Sequence, residues 1–198
     1  MRWFLNSHFF NHAWEAVSSA NWIKYPNEVT PHVIHVDYLS RRVDPTTGVL
    51  HTERLITCRQ NVPDFILRLI GGSNEAYIYE RSECDPQKRV LTLRTQNLTF
   101  CTLMSVEETC VYSPSPSDPE RETQFTQEVR IDSFNGWATI RNYLEDFGLE
   151  RFKSNAIKGK LALEQTLAKI CHETKEVLSS ATEMCQKAAT CAQQKPCN

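Results

Sequence analysis

The run Lys24-Tyr25-Pro26-Asn27-Glu28, with Pro31-His32-Val33-Ile34 and Thr52-Glu53-Arg54-Leu55-Ile56-Thr57 after it, marks where a helix gives way to a sheet. Pro26 has no amide hydrogen to donate, and its ring pushes the preceding residue out of the helical region. A helix must therefore end before this proline. The two later runs are rich in β-branched residues and carry cationic side chains along extended segments. The sequence thus predicts a helix followed by two long strands.

The rest of the chain extends this pattern into a sheet with one long helix. Residues 1–6 read as a first strand, and Asn11 can cap a helix that runs from His12 to about Lys24. Further strands are predicted over residues 31–43, 48–60, 76–84, 89–100, 103–112 and 123–133. A long helical pattern then runs from about Trp137 into the 180s. Successive strands joined by tight turns, with one helix that must cover a sheet face, indicate an α+β fold built on an antiparallel meander.

One short segment stands out for its apolar composition. Residues 62–70 have Pro63 near a first-turn position and end at Gly71-Gly72, which indicates a small helix with a defined stop. This segment is either a buried corner of the core or a movable lid over an apolar cavity, which could also touch a membrane. The sequence alone leaves both readings open.

Length and composition set the broad class. The chain has 198 residues, of which 40% are hydrophobic and 23% charged, as in a soluble globular domain. We assign residues 1–172 to one domain and residues 173–198 to a helix extension, with a frayed tail beyond Ala188. A formal net charge of -2 argues against a bulk electrostatic grip on nucleic acid or on an anionic membrane, so any anion site must be local. The N-terminus lacks the features of a secretory signal or a cleaved transit peptide, and import into an organelle would use another route.

Cysteine and histidine positions do not indicate a metal site. Eight cysteines contain no CxxC pair, so zinc-ribbon and thioredoxin-like readings are poor. Four of them lie in predicted strands, where a cysteine behaves as a small apolar side chain. The other four lie on or after the C-terminal helix and could be exposed thiols or an incidental disulfide. His32 and His35 should project to opposite faces of their strand, and we predict neither a metal nor another cofactor.

The long helix carries an unusual change of polarity along one face. At about 100° per residue, an apolar stripe of Ile140, Leu144 and Phe147 continues as Arg151, Asn155 and Lys158. A second apolar stripe lies about a quarter-turn away and consists of Phe152, Ala156, Gly159, Leu163 and Leu167. Either the buried face drifts and the polar residues meet water, or they point into a cavity behind the sheet. In the second case two cations and an amide require an anionic guest, for which a phosphate is the natural candidate.

No catalytic motif accompanies these residues. The sequence has no Gly-rich phosphate loop, nucleophile elbow or HExxH motif. A Cys–His hydrolase stays open, because spatial proximity cannot be read from the sequence. We interpret the chain as a protein without enzymatic activity, with an esterase and a pure scaffold as rival readings.

These residues together resemble the PRELI/slowmo family of intramitochondrial phospholipid-transfer proteins, over about residue 1 to the 170s. Lys24 stands where the family has a basic residue before Tyr-Pro-Asn, and His32 and Arg54 match its strand positions. The long-helix pattern of the family is matched by Arg151, Phe152, Asn155 and Lys158. The resemblance implies a curved antiparallel sheet of about seven strands gripping a long C-terminal helix, with a PRELI/START-like lipid pocket. The headgroup site it implies consists of Lys24, His32, Arg54, Arg151, Asn155 and Lys158, and its lid contains Val62, Pro63, Phe65, Ile66, Leu69 and Ile70.

The same resemblance implies a function. Glu28, Cys58 and Asn61 make the chain look closer to the slowmo-like branch, which is linked to phosphatidylserine. The expected activity is transfer of phosphatidylserine between the outer and inner mitochondrial membranes across the intermembrane space, with the protein peripheral to the inner membrane. Phosphatidic acid transfer, or a non-catalytic sterol or fatty-acid carrier, is the alternative. The expected partners are the lipid, anionic mitochondrial membranes and a small helical protein with twin cysteine motifs that forms a heterodimer.

Overall fold

Seven antiparallel strands form one curved sheet in the order β1-β7-β6-β5-β4-β3-β2, and two helices of the described residues pack on it. The computed structural model describes residues 1–59, 74–134 and 138–193, with residues 138–140, 183 and 185–193 described by their backbone only. The strands are β1 (Arg2–Phe10), β2 (Val33–Val43), β3 (Leu50–Arg59), β4 (Glu75–Asp85), β5 (Val90–Asn97), β6 (Met104–Pro114) and β7 (Thr123–Ser133). The helices are α1 (Trp14–Ile23) and α2 (Ala138–Gln193). The predicted α+β fold with a meander and one dominant helix is confirmed.

Alternation along the strands explains why one face of the sheet is covered. In β7, Phe125, Gln127, Val129 and Ile131 are all buried, and the residues between them face outward. This period of two places every second side chain on the covered face. The first strand then joins the last one, since Phe4 pairs with Val129, so that β1 and β2 form the two edges of the sheet.

Helix α1 is shorter than the sequence predicted. It begins at Trp14, the cap position is Ala13, and no side chain caps the helix. Asn11 was therefore wrongly predicted as the cap. A different bond fixes the helix entry, because Thr123 Oγ1 donates to the carbonyl of His12 at 2.7 Å. The helix does end before Pro26, as predicted.

Helix α2 is long enough to reach beyond the sheet. Its segment up to about Ile170 carries buried side chains such as Leu163 and Leu167, whereas the described side chains from His172 onward are exposed. The helix continues past Ala188 to Gln193, and the frayed tail expected beyond Ala188 stays a prediction. Within the described part of the chain, no helix combines the length and the apolar composition needed to cross a bilayer.

Two hydrophobic clusters hold the helices to the sheet. The larger joins Phe10, Trp14, Tyr112, Phe125, Leu163 and Leu167, and so ties α1, α2 and the β5–β7 half of the sheet together. The smaller consists of Val33, Ile56 and Cys58, with Tyr25, Val36 and Ile78 packed on it. Members of both clusters border the same space under α2.

Candidate functional site

A cavity of about 290 Å³ lies between the covered face of the sheet and α2. Its described lining is largely apolar and includes Phe100, Leu103, Met104, Leu144, Phe147 and Phe152. The volume is at the lower end of the range for small-molecule sites. The described residues therefore leave a space between the sheet and α2, and this cavity is the natural candidate for a binding site.

Both predicted stripes of the long helix contribute to the lining. Leu144 and Phe147 come from the first stripe, and Phe152, Ala156, Gly159 and Leu163 come from the second. Leu144 of the first stripe is buried, and so are Leu163 and Leu167 of the second, so the buried face passes from the first stripe to the second along the helix. The polar residues of the first stripe consequently lie at the margin of the covered face.

The three polar residues at this margin, Arg151, Asn155 and Lys158, differ in their exposure. Arg151 and Asn155 are half-buried and line the cavity, whereas Lys158 is exposed and is not part of the lining. Of the two alternatives, Arg151 and Asn155 follow the cavity one and Lys158 the solvent one, and a headgroup role for Lys158 stays a prediction. Its charge still reaches the cavity, because it contributes to lowering the pKa of His32.

His32 and Lys24 enter the cavity from the other side. Lys24 follows the last turn of α1, where its Nζ lies 3.5 Å from Asn21 Oδ1 and 5.0 Å from the Tyr25 ring centroid. His32 lines the cavity, and its Nδ1 is buried without a hydrogen-bond partner among the described residues. Burial lowers the pKa of His32, and the positive charges of Lys158 and Arg151 lower it further. At neutral pH this imidazole is therefore uncharged, and the structure gives it a cationic environment.

Arg54 is placed differently from the other candidate residues. It does not line the cavity, since its guanidinium is buried and forms an ion pair with Glu80, with Nη2 2.6 Å from Oε1. The rings of Trp22 and Tyr38 lie over it, at 5.4 and 5.8 Å from its Cζ. Burial alone would lower the pKa of Arg54, but the charge and hydrogen bond of Glu80, together with smaller contributions from Tyr38, outweigh it and raise that pKa. A headgroup role for Arg54 stays a prediction, and its contacts favour a structural one.

Three charged lining residues were missed from the sequence: Glu80, Glu108 and Lys160. Glu108 accepts hydrogen bonds from Gln127 Nε2 at 2.7 Å and from Thr95 Oγ1 at 3.0 Å. The strand alternation in the sequence could have indicated the two glutamates. Glu108 alternates with Val106 and Cys110 on β6, and Glu80 alternates with Ile78 on β4, so each occupies an inward position of its strand.

The thiols in the cavity are poor nucleophiles. Cys58 and Cys110 are buried and line the space. Burial raises the pKa of Cys58 to about 11, and burial with the nearby charge of Glu108 raises that of Cys110 well above its ordinary value. Because the thiolate is the reactive form, these side chains do not provide an activated nucleophile at neutral pH.

Some predicted elements lie outside the described residues. They are the lid residues Val62, Pro63, Phe65, Ile66, Leu69 and Ile70, together with Asn61 and the side chain of Ile140. The two readings of the short apolar segment therefore both stand.

Comparison with known proteins places this cavity in a family. A family model described as the PRELI-like family matches residues 15–173. The chain is 44% identical to "Protein UPS2, mitochondrial" of Saccharomyces cerevisiae over 167 residues, which is 84% of this chain and 73% of that protein. It is 45% identical to "UPS-like protein C36.10" of Schizosaccharomyces pombe, over 86% of this chain and 91% of that protein. With "Protein slowmo homolog" of Dictyostelium discoideum the identity is 39%, over 87% of this chain and 74% of that protein.

Solved structures share the fold at low sequence identity. The crystal structure of TTHA0849 from Thermus thermophilus aligns with a TM-score of 0.59 at 10% identity, over 85% of this chain and 99% of that one. A START superfamily protein from Mycobacterium smegmatis aligns with a TM-score of 0.50 at 11% identity, over 82% of this chain and 97% of that one. These two likenesses bear on the fold alone, and they agree with the predicted helix-grip architecture.

Proposed function

The chain belongs to the PRELI-like family, and from that premise we propose that it carries a phospholipid from one membrane to another. The lipid enters the cavity between the sheet and α2, travels with the protein, and leaves into a receiving bilayer. No covalent bond is made or broken, and the transfer needs no metal or nucleotide.

The observation that carries this proposal is the apolar cavity with cationic and amide groups at its margin. Lys24, His32, Arg151 and Asn155 all border the same space. Phosphate oxygens accept charge-assisted hydrogen bonds from several such donors at once. The partnerless Nδ1 of His32 is a further group that a bound phosphate can engage. Lys158 is exposed, and it would act on the phosphate as a nearby charge at the rim.

The apolar lining accounts for the acyl chains. Burying hydrocarbon is favourable by roughly 0.8 kcal/mol per CH₂ group, so a loaded lipid does not escape into water. Release then requires a second bilayer that offers the same apolar environment. A cavity of about 290 Å³ encloses the headgroup and the chain segments next to it. We propose that the apolar segment from Val62 to Ile70 covers the remainder and opens at an anionic membrane.

Family membership supports the place of action and the transported lipid in more general terms than the cavity does. One relative carries "mitochondrial" in its name, which supports a mitochondrial role for this chain. Within the mitochondrion we propose the intermembrane space, peripheral to the inner membrane, with phosphatidylserine as the cargo and phosphatidic acid as the alternative. We also propose a heterodimer with a small helical protein that has twin cysteine motifs.

Lipid analysis and a transfer assay test this function. The protein is purified from a eukaryotic host, and the lipid that co-purifies with it is identified by mass spectrometry. Transfer between liposomes is then measured with labelled phosphatidylserine, phosphatidic acid and cholesterol. Phospholipid in both experiments supports the proposal. Sterol or fatty acid as the bound species would replace it with the rival carrier function, and a hydrolysed product appearing during transfer would show an esterase.

A further inference from the structure

A row of four polar side chains runs across the sheet, and three of them line the cavity. The strand register aligns Arg54 on β3, Glu80 on β4, Thr95 on β5 and Glu108 on β6, each opposite the next. The row begins with the buried ion pair between Arg54 and Glu80. It continues with the hydrogen bond from Thr95 Oγ1 to Glu108 Oε2, at 3.0 Å. The carboxylate of Glu80 therefore has a cationic partner within the row, whereas the hydrogen bond that Glu108 receives within the row comes from a neutral hydroxyl.

Glu108 is held only by neutral donors in the part of the chain that is described. Oε1 accepts from Gln127 Nε2 at 2.7 Å and from Cys110 Sγ at 3.1 Å, and Oε2 accepts from Thr95. No described Lys, Arg or His nitrogen forms an ion pair with it, in contrast to Glu80. A carboxylate that borders an apolar cavity is costly unless a charged partner arrives. Three fixed donors also hold its position, so the group is oriented before a ligand enters.

The charges around the cavity are divided between two regions. Around His32 the acting charges are those of Lys158 and Arg151, both positive, and they lower its pKa after the larger effect of burial. Around Cys110 the charges are mixed. Burial raises the pKa of that thiol most, Glu108 and Glu80 raise it further, and Lys24 opposes them. The region around His32 therefore suits an anionic group. The region around Cys110 offers a negatively charged hydrogen-bond acceptor, Glu108, with the cation Lys24 nearby.

We infer that Glu108 accepts the primary ammonium group of a headgroup whose phosphate lies among the cationic residues, so that the cavity prefers amine-bearing phospholipids. The inference rests on the proposed function and names its headgroup chemistry. Phosphatidylserine and phosphatidylethanolamine both carry a primary ammonium a short chain away from the phosphate. Such a group donates N–H bonds to a carboxylate. Choline has no N–H to donate and phosphatidic acid has no amine, so neither satisfies Glu108.

The test replaces the charge without changing the shape. Glu108→Gln keeps the size of the side chain and removes its negative charge. Glu107→Gln is the matched control, because Glu107 is the exposed neighbour on the same strand and faces away from the cavity. Transfer is measured between vesicles that share one anionic background composition, with labelled phosphatidylserine, phosphatidylethanolamine, phosphatidylcholine and phosphatidic acid, and folding of each variant is checked by near-UV circular dichroism.

The expected result is a change of preference and not a general loss. Wild type transfers the two amine-bearing lipids better than the other two. Glu108→Gln lowers the transfer of both relative to phosphatidic acid by about tenfold, as expected for one hydrogen bond to a charged group, and Glu107→Gln leaves the ratio unchanged. The wild-type preference needs no substitution, so the inference stays testable even if Glu108→Gln fails to fold.

Three outcomes would overturn the inference while leaving the proposed function in place. An equal loss for all four lipids would show that Glu108 has only a structural role. A ratio that Glu108→Gln does not change, or wild type that transfers phosphatidic acid as well as phosphatidylethanolamine, would remove the ammonium site while leaving phospholipid transfer intact. Failure of wild type to transfer any phospholipid would instead overturn the proposed function, and this inference with it.

Discussion

Arg54 and Glu80 face each other across β3 and β4, with Nη2 2.6 Å from Oε1 and the two side chains only 2% and 6% exposed. The pair lies at the end of the polar row, under the rings of Trp22 and Tyr38. Within this ion pair, Arg54 Nε donates a hydrogen bond to the same carboxylate oxygen at 2.8 Å. The arginine is thus committed to the protein itself, and its main effect should be on folding.

Removing the arginine should therefore destabilise the protein strongly. Arg54→Met leaves the Glu80 carboxylate buried without its partner, and loss of one member of a buried ion pair costs about 3–5 kcal/mol. The free energy of unfolding from urea denaturation measures this. The double variant Arg54→Met/Glu80→Leu should recover much of the loss, because no buried charge remains. If Arg54→Met kept its stability but lost lipid transfer, Arg54 would be a headgroup ligand after all.

Two cations of α2 should differ in their effect on transfer. Arg151 lines the cavity and Lys158 is exposed. Arg151→Gln removes a charge-assisted bond to phosphate and should slow transfer by about tenfold at any ionic strength. Lys158→Gln removes a charge that salt screens, so its smaller effect should fade between about 0.05 M and about 0.5 M salt. A larger and salt-independent loss for Lys158→Gln would place this residue in direct contact with the lipid.

The depressed pKa of His32 gives the stability a pH dependence of known sign. Burial lowers this pKa first, and the charges of Lys158 and Arg151 add to the effect. As the pH falls below the ordinary value of 6.5, the unfolded chain takes up a proton that the empty folded protein does not. Stability is therefore full above that value and declines below it, down to the lowered pKa. Urea midpoints at about pH 7.5 and about pH 5.5 measure the decline, and His32→Gln should reduce it. An equal slope in both proteins would assign it to other groups.

Gly159 offers a way to fill the cavity without disturbing the fold. A Cβ atom placed there meets no described atom within 4 Å, whereas one at Gly148 would lie 2.9 Å from Met104 Cε. Gly159→Ala should raise the free energy of unfolding by about 0.5–1 kcal/mol, because alanine is the better helix former, and should leave transfer unchanged. Gly159→Leu keeps the helix but projects into the cavity, and transfer should fall severalfold. Equal transfer by both variants would show that the lipid does not occupy this space.

Much of the fold could be read from the sequence because its signals are local. Proline at position 26 ended α1 where predicted, and the alternation in β7 gave its bounds as Thr123–Ser133. Turn residues between the strands indicated a meander, which the strand order confirms. The cap at Asn11 was wrong because a distant contact, the bond from Thr123 to the carbonyl of His12, fixes the helix entry.

The site was harder to read, because it depends on where the covered face of α2 is centred. Periodicity placed Arg151, Asn155 and Lys158 on one stripe, but it does not tell which of two neighbouring stripes meets the sheet. Along the helix the covered face passes from the stripe of Leu144 to that of Leu163, so Arg151 still lines the cavity while Lys158 is exposed. Ion pairing across strands is likewise invisible in the sequence, since Arg54 and Glu80 lie 26 positions apart.

The pairing of β1 with β7 has a kinetic consequence. Phe4 pairs with Val129, so β1 cannot pair with its neighbour in the sheet until β7, the last strand in the chain, has been synthesised. Contacts between such distant positions require closure of a long loop, and domains dominated by them fold slowly. Until β7 is available, the outward-facing Trp3, Leu5 and Phe9 belong to an unpaired apolar segment. In a newly made polypeptide the edge of the sheet formed by β1 therefore completes its pairing only after residues 123–133 have been added.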